Sequence, residues 1–301
     1  MSGARPALVG FLTLLLIALL MASNHVAARL AFDHGATVAT AVAFRSTGTA
    51  LVVGALLVLQ HVPVALKPRE RRALPAIGVL VGVQSLCLYA AVARLPVMLA
   101  LLVFNSFPLM AALWARVLYQ HRPERAVLVA MPVILLGLVL ALDVLGAASG
   151  LGAAGQWRAI GAGVGFALAA AALFGLALVL TQHEAGRLDG RVRTFGSMAV
   201  VALVAVLAAC VQGGFALPRV AAGWWGLGLL TLLYGTGITL LFTVLPRLGV
   251  VGNSPVLNVE PVFALVLGWL ILGQAVAPLQ ALGALIVVGA VMGLGLRRRR
   301  A

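Results

Sequence analysis

Charged residues are scarce in this chain: they occupy 9% of its 301 positions, while 63% are apolar and the mean hydropathy is +1.15. A soluble domain carries about 25% charged residues, so this composition excludes an ordinary soluble fold. It indicates instead a protein that crosses a membrane several times.

Cysteines are also scarce, since only Cys87 and Cys210 occur and both fall in apolar runs. We expect them to be small packing residues that form no disulfide. The sequence lacks a glycine-rich phosphate loop followed by Lys and Ser or Thr, and it lacks a Cys/His cluster with zinc spacing. We therefore expect no ATP hydrolysis, no metal and no cofactor.

About ten apolar runs extend along the chain, each long enough to cross a hydrocarbon layer of roughly 30 Å as a helix. They do not alternate as the strands of a membrane barrel do, and a helix satisfies its own backbone in lipid. We therefore predict an all-α integral membrane protein with about ten transmembrane helices. The predicted spans are 7–31, 36–60, 74–93, 97–119, 126–145, 158–182, 195–216, 223–245, 250–272 and 278–296.

Basic residues outnumber acidic ones by 21 to 7, for a net charge of +14, and their placement predicts the topology. With the N-terminus in the cytoplasm, 15 basic residues fall on the cytoplasmic side and 4 on the other. Positive charge retained inside is the usual rule, so we predict a multi-pass protein of the bacterial cytoplasmic membrane with both termini cytoplasmic. We expect membrane lipids and a small-molecule substrate as partners, no nucleic acid, and a monomeric chain.

A duplication is visible near the midpoint, where Gly146–Gln156 forms a small, uncharged linker. We predict two repeats, 1–150 and 151–301, with about five helices each; the odd number inverts the second repeat in the membrane. Inverted repeats are characteristic of secondary transporters, whose substrate binds in a central cavity between the halves. The matches at an offset of 153 positions include Arg94-Leu95 with Arg247-Leu248, Asn105 with Asn258, and Pro108 with Pro261.

Proline and polar residues interrupt the fourth and ninth predicted spans at equivalent places. Pro108 and Pro261 each remove a helical hydrogen bond, and the freed carbonyl is tolerated only against protein or a wet cavity. Asn105 and Asn258 precede them by three positions, and Ser106 follows Asn105. We expect the two elements to meet near the midplane and to line the substrate site.

Glu260 is the acid of the ninth span, and its counterpart in the first half is Phe107. An acid near the bilayer centre costs at least about 2.5 kcal/mol, and such residues are usually paired, protonated or functional. Burial favours the neutral form of a carboxyl group. We therefore expect Glu260 to bind a substrate amine or to carry a coupling proton.

Other polar or aromatic residues inside the spans are further candidates for the substrate site. Asn24 and His25 either line a cavity or cap the first helix at headgroup level. Arg45 either snorkels outward or binds an anionic group, and we favour a structural role for it. The remaining substrate-binding candidates are Gln84, Tyr89, Trp114 and Tyr234.

Several stretches together carry a family resemblance: ASNHVAARL in the first span, AVAFRSTGTAL in the second, and VGNSPVLNVEPVFALVLGWLILGQ before the last. The sequence resembles the ten-helix EamA-type exporters of the drug/metabolite transporter superfamily over nearly its whole length. It departs from them at Gln274, where the family commonly has Glu, and at Met21-Ala22, where a tryptophan is common. The resemblance implies a basket of helices around a central cavity that opens alternately to each side.

The function we predict is export of small polar metabolites such as amino acids, by a secondary transporter that is not an enzyme. Efflux of lipophilic cations, with a proton exchanged at Glu260, is the alternative within the same class. A membrane enzyme would need clustered Asp, His or Arg, whereas Asp33, Asp143 and Asp189 stand apart. A non-transporting membrane protein remains open as a further class, although it would not explain the repeat.

Overall fold

The fold is described from a computed structural model. It covers residues 4–121, 125–146, 149–248 and 259–297, with side chains for 12–121, 129–146, 149–240 and 259–293. These residues form helices and contain no strand. The helices are α1 Ala4–Asp33, α2 Val38–Leu59, α3 Pro68–Val92, α4 Val97–Phe104, α5 Phe107–Tyr119, α6 Arg125–Ala141, α7 Gly152–Glu184, α8 Gly190–Val211, α9 Ala221–Leu248, α10 Glu260–Leu272 and α11 Pro278–Arg297.

Six segments of the described chain are long and apolar enough to cross a membrane, judged by length and composition. Three shorter apolar helices, 129–141, 260–272 and 278–293, accompany them. Nine of the ten predicted spans correspond to these helices, and the remaining one, 223–245, falls in α9. The all-α prediction is confirmed. Both cysteines are free, but Cys210 is exposed on the surface of α8 and so is not the packing residue we expected.

The fourth span is the place where a predicted continuous helix is interrupted. Asn105 and Ser106 form a turn between α4 and α5. The Asn105 N–H still donates to the Leu101 carbonyl at 2.9 Å, and the Ser106 N–H donates to the Val103 carbonyl at 3.0 Å. Pro108 occupies the second position of α5, where its missing N–H costs nothing. Pro261 occupies the same position in α10. In the fourth span the expected kink is therefore a two-residue turn between two helices, because a helix start accommodates proline better than a helix interior does.

The helices of the two halves correspond at the offset of 153. Segment 107–119 maps directly onto α10, and α2, α3 and α6 map onto α8, α9 and α11 to within a few residues. The packing repeats as well: α1 packs on α9 as α7 packs on α3, while α2 packs on α8 and α6 on α11. Exchanging the halves leaves these pairs unchanged, as a pseudo-twofold axis requires.

Small residues hold the helices close together, and large apolar residues face outward. Ala22 and Ala28 of α1 and Ala41 of α2 are fully buried, while Leu51 and Trp225 are about 70% exposed. At Gly226 of α9 an added Cβ would lie 2.7 Å from the Ala27 carbonyl oxygen of α1. This arrangement is expected of helices that pack backbone to backbone inside and meet lipid outside.

Candidate functional site

A buried group of polar side chains lies where α1, α2, α3, α9 and α10 meet. We call it the central polar cluster. Asn24, Arg45, Gln84 and Ser85 are each at most 6% exposed, and Tyr89 is fully buried. The other members are His25, Tyr234 and Glu260. Helices from both halves of the chain thus supply polar groups to one place.

Arg45 is at the centre of this cluster. One terminal nitrogen donates to the Tyr89 hydroxyl at 3.2 Å and the other to the Ser85 hydroxyl at 2.8 Å. Ser85 and Tyr89 are one helical turn apart on α3, so one side chain reaches both. The guanidinium carbon also lies 4.8 Å from the centre of the Tyr89 ring and 3.9 Å from that of Tyr234. Arg45 therefore points inward and does not snorkel.

Tyr89 links α3 to α1. Its hydroxyl donates to Asn24 Oδ1 at 2.9 Å, and the His25 ring meets its ring edge-on, with centroids 5.6 Å apart. Two further turns of α1 follow Asn24 and His25, and both side chains are buried. They are therefore interior residues of the helix and do not cap it at headgroup level.

Glu260 is the first residue of α10 and pairs with α1. Its Oε1 lies 3.3 Å from His25 Nε2, and its side chain is 24% exposed. The N-terminus of a helix attracts negative charge, because its first N–H groups lack partners in the helix. The carboxylate is thus held by a helix end and an imidazole while it keeps access to its surroundings.

Comparison with known proteins decides the family. The profile of the EamA-like transporter family matches residues 8–142 and 161–296, which is most of the chain. The chain belongs to the EamA-like transporter family. It is therefore a multi-pass membrane transporter of the drug/metabolite transporter superfamily.

The other comparisons inform only about the fold. A solved crystal structure is similar over 99% of both chains, with 21% identity and a TM-score of 0.64. No curated protein matches the chain significantly. The overall arrangement of helices in this EamA-like transporter is therefore shared with a known structure, while its substrate must be argued from its own residues.

Three of the predicted site residues lie apart from the central polar cluster in this transporter. Asn105 and Ser106 are buried in the turn between α4 and α5. The Trp114 indole donates to the Ala172 carbonyl of α7 at 3.0 Å, which is a helix-packing contact. Asn258 lies outside the described residues.

Ser85 is a member of the central polar cluster that the sequence analysis did not name, and Arg45 is one for which it favoured a structural role. Arg45 was expected to be structural because an arginine a third of the way into a span is able to reach the headgroups. The sequence did indicate a polar face on α3, because the spacing of Ser85 and Tyr89 places two hydroxyls on one side of the helix. That these hydroxyls bind Arg45 of α2 depends on tertiary packing.

A second polar group links three helices at one end of the helix bundle. We call it the Glu184 cluster. Arg69 of α3 and Tyr119 of α5 both donate to the Glu184 carboxylate at the end of α7, with Arg69 Nη2 and the Tyr119 hydroxyl each at 2.8 Å.

A separate ion pair lies at the start of α8, where the Arg191 side chain lowers the pKa of the Asp189 carboxyl to about 2. No group of three or more His, Cys, Asp or Glu that would hold a metal occurs in the described part of the chain.

Proposed function

We propose that this EamA-like transporter exports small polar metabolites, amino acids first, across the bacterial cytoplasmic membrane by alternating access. The observation that carries the proposal is the Glu260 carboxylate, which pairs with His25 in a cluster that also contains the Asn24 and Tyr89 hydrogen-bonding groups, at a junction of helices from both halves. Such groups suit a small zwitterion better than a bare hydrocarbon solute, because each buried polar group needs a partner. The bias of basic residues supports cytoplasmic termini.

Glu260 has the properties that an ammonium or proton site needs. Its 3.3 Å contact with His25 is a long one, and the carboxylate is partly accessible. A substrate ammonium would replace the imidazole as its partner with a charge-assisted hydrogen bond, which is about twice as strong as a neutral one. When the substrate leaves, the imidazole or a proton takes its place, and this exchange would couple transport to pH.

The Glu184 cluster supports the alternating movement. It ties α3 and α5 of the first half to α7 of the second at one end of the bundle. For that end to open, these hydrogen bonds must break. A closed end held by exposed polar contacts is easy to reopen, because such contacts contribute little net free energy.

Efflux of lipophilic cations is the second candidate. It is favoured by the aromatic cluster beside the α4–α5 turn, where the rings of Phe104, Phe107 and Phe174 lie 5.1–5.6 Å apart between centroids. Aromatic faces attract cations, and Glu260 would supply the exchanging anion.

The test is counterflow into proteoliposomes loaded with unlabelled amino acids, one labelled amino acid at a time. We expect accumulation of a subset with the wild-type protein. In Glu260→Gln, the initial rate should fall at least about tenfold and lose its pH dependence, because an amide holds neither an ammonium nor a proton as a carboxylate does. Asp33→Asn is the matched control, since Asp33 is an exposed carboxylate paired with Arg29 at the end of α1.

Normal rate and pH profile in Glu260→Gln would contradict the role of this residue. Accumulation of tetraphenylphosphonium with no accumulation of any amino acid would favour cation efflux instead. In both cases the control variant must first show that the reconstituted protein is folded and inserted.

A further inference from the structure

Arg45 carries a buried charge that no carboxylate among the described side chains neutralises. Its side chain is 3% exposed, and no other arginine or lysine among the described side chains is buried. No carboxylate oxygen of those side chains lies within 4.0 Å of the Arg45 guanidinium nitrogens. The Glu260 carboxylate pairs with His25 instead. A buried charge without a counter-charge costs several kcal/mol, and such residues in membrane helices mark functional sites.

Two buried N–H donors of the central polar cluster lack an acceptor among the described groups. Arg45 Nε and Asn24 Nδ2 are both buried, and neither has a partner among the described groups. The Tyr89 hydroxyl lies between them: it accepts from Arg45 and donates to Asn24 Oδ1. The Asn24 amide is oriented correctly, because turning it over would leave the Tyr89 proton without an acceptor. The Arg45 Nε–H and the Asn24 amide are therefore two buried donors that have no acceptor among the described groups.

We propose that Arg45 and Asn24 form an anion subsite that binds the carboxylate of the transported metabolite. This inference rests on the proposed function and names the chemistry of its substrate. Arg45 supplies the charge and its Nε–H, and Asn24 supplies amide N–H groups. A single buried cation matches a monoanionic carboxylate, whereas a dianionic phosphate would require a second buried arginine or lysine, which the described side chains lack.

The subsite and Glu260 together recognise a zwitterion. The Tyr89 ring contacts both the Arg45 guanidinium and the His25 imidazole that holds Glu260. Both ends of a zwitterion therefore have a charged partner in the central polar cluster: Arg45 for the carboxylate and Glu260 for the ammonium. The subsite is covered in this conformation, and the separation of the halves during transport would expose it.

The test compares acids with their amides. The assay uses each labelled amino acid that accumulates by counterflow. It measures how strongly the unlabelled acid and its amide, for example L-alanine and L-alaninamide, inhibit uptake of the label. With the wild-type protein, we expect the amide to compete at least about tenfold more weakly, because it lacks the charge that Arg45 pairs with. This comparison needs no variant, so it stands even if a substitution at Arg45 prevents folding.

Variants then assign the discrimination to Arg45. In Arg45→Gln we expect acid and amide to compete equally weakly, and in Arg45→Lys part of the preference for the acid should return. Arg94→Gln is the control, because Arg94 is exposed and its contacts, the Ala90 carbonyl of α3 and the Phe166 ring, do not belong to the central polar cluster. Preference for the acid should be unchanged there.

The outcomes separate this inference from the proposed function. Amino-acid transport with equal competition by acid and amide, or an undiminished preference in Arg45→Gln, overturns the carboxylate subsite and leaves the function standing. Uptake of lactate without any amino acid, lost in Arg45→Gln, supports the subsite and refutes amino-acid export. Uptake of tetraphenylphosphonium alone overturns both.

Discussion

Replacing Tyr89 with phenylalanine removes one oxygen atom from the middle of the central polar cluster. The Tyr89 side chain is fully buried, and its hydroxyl makes two hydrogen bonds, one to Arg45 and one to Asn24. Phenylalanine keeps the ring and its contacts with His25 and Phe32. The substitution therefore changes hydrogen bonding with little change in packing.

The expected loss of stability follows from those two bonds. Hydrogen bonds between transmembrane helices contribute about 0.6 kcal/mol on average and up to about 1.7. Here the bond from Arg45 involves a charged donor, and both partners would be left buried without a replacement. We expect Tyr89→Phe to lower the free energy of unfolding by about 2 kcal/mol.

Reversible unfolding of the purified protein in mixed micelles measures this difference, with Tyr234→Phe as the matched control. Tyr234 also lies against the Arg45 guanidinium, but its hydroxyl reaches only the Met198 sulfur at 4.0 Å. Its loss should cost less than about 0.5 kcal/mol, because sulfur is a weak acceptor. Equal effects of the two substitutions would refute the idea that the Tyr89 hydroxyl organises the cluster.

Two further predictions concern contacts between helices. The Gln274 carbonyl oxygen accepts from the Val97 N–H at 3.0 Å, so Gln274→Leu should lower stability by about 1 kcal/mol, and Gln274→Glu should remain near wild type in the same unfolding assay. Gly226→Ala should lower the yield of folded protein and its melting temperature, because the new Cβ would lie 2.7 Å from backbone atoms of α1, whereas Gly228→Ala meets nothing within 4 Å and should be tolerated. An unchanged melting temperature in Gly226→Ala, or an unstable Gln274→Glu, would contradict these assignments.

The helices and their repeat were predictable from the chain alone. A membrane span needs about 20 apolar residues, whatever its neighbours are, so hydropathy identifies it. The repeat at an offset of 153 was visible in Arg, Asn and Pro, and the helices of the two halves follow it. Pro108 marked the fourth span as irregular, but a local rule does not distinguish a kink from a break. That choice depends on whether neighbouring helices cover the freed backbone.

The central polar cluster was predictable in part. Asn24, His25 and Glu260 were identified because a polar residue in an apolar run is costly wherever the run packs. Trp114 was included by its nearness in sequence to Asn105, yet its indole binds a carbonyl of α7. Nearness along a helix does not tell which neighbour a side chain meets.

The sequence by itself determined the class of protein, the number of spans and the presence of a carboxylate in the ninth span, since each follows from composition or from local spacing. The tertiary structure decided the placement of Arg45 in the central polar cluster. Its partners Ser85 and Tyr89 lie 40 and 44 positions away on another helix, and Asn24 enters from a third. Such contacts arise from the relative rotation of whole helices. That rotation is set by close packing of small residues along their full length, which no single stretch of sequence specifies.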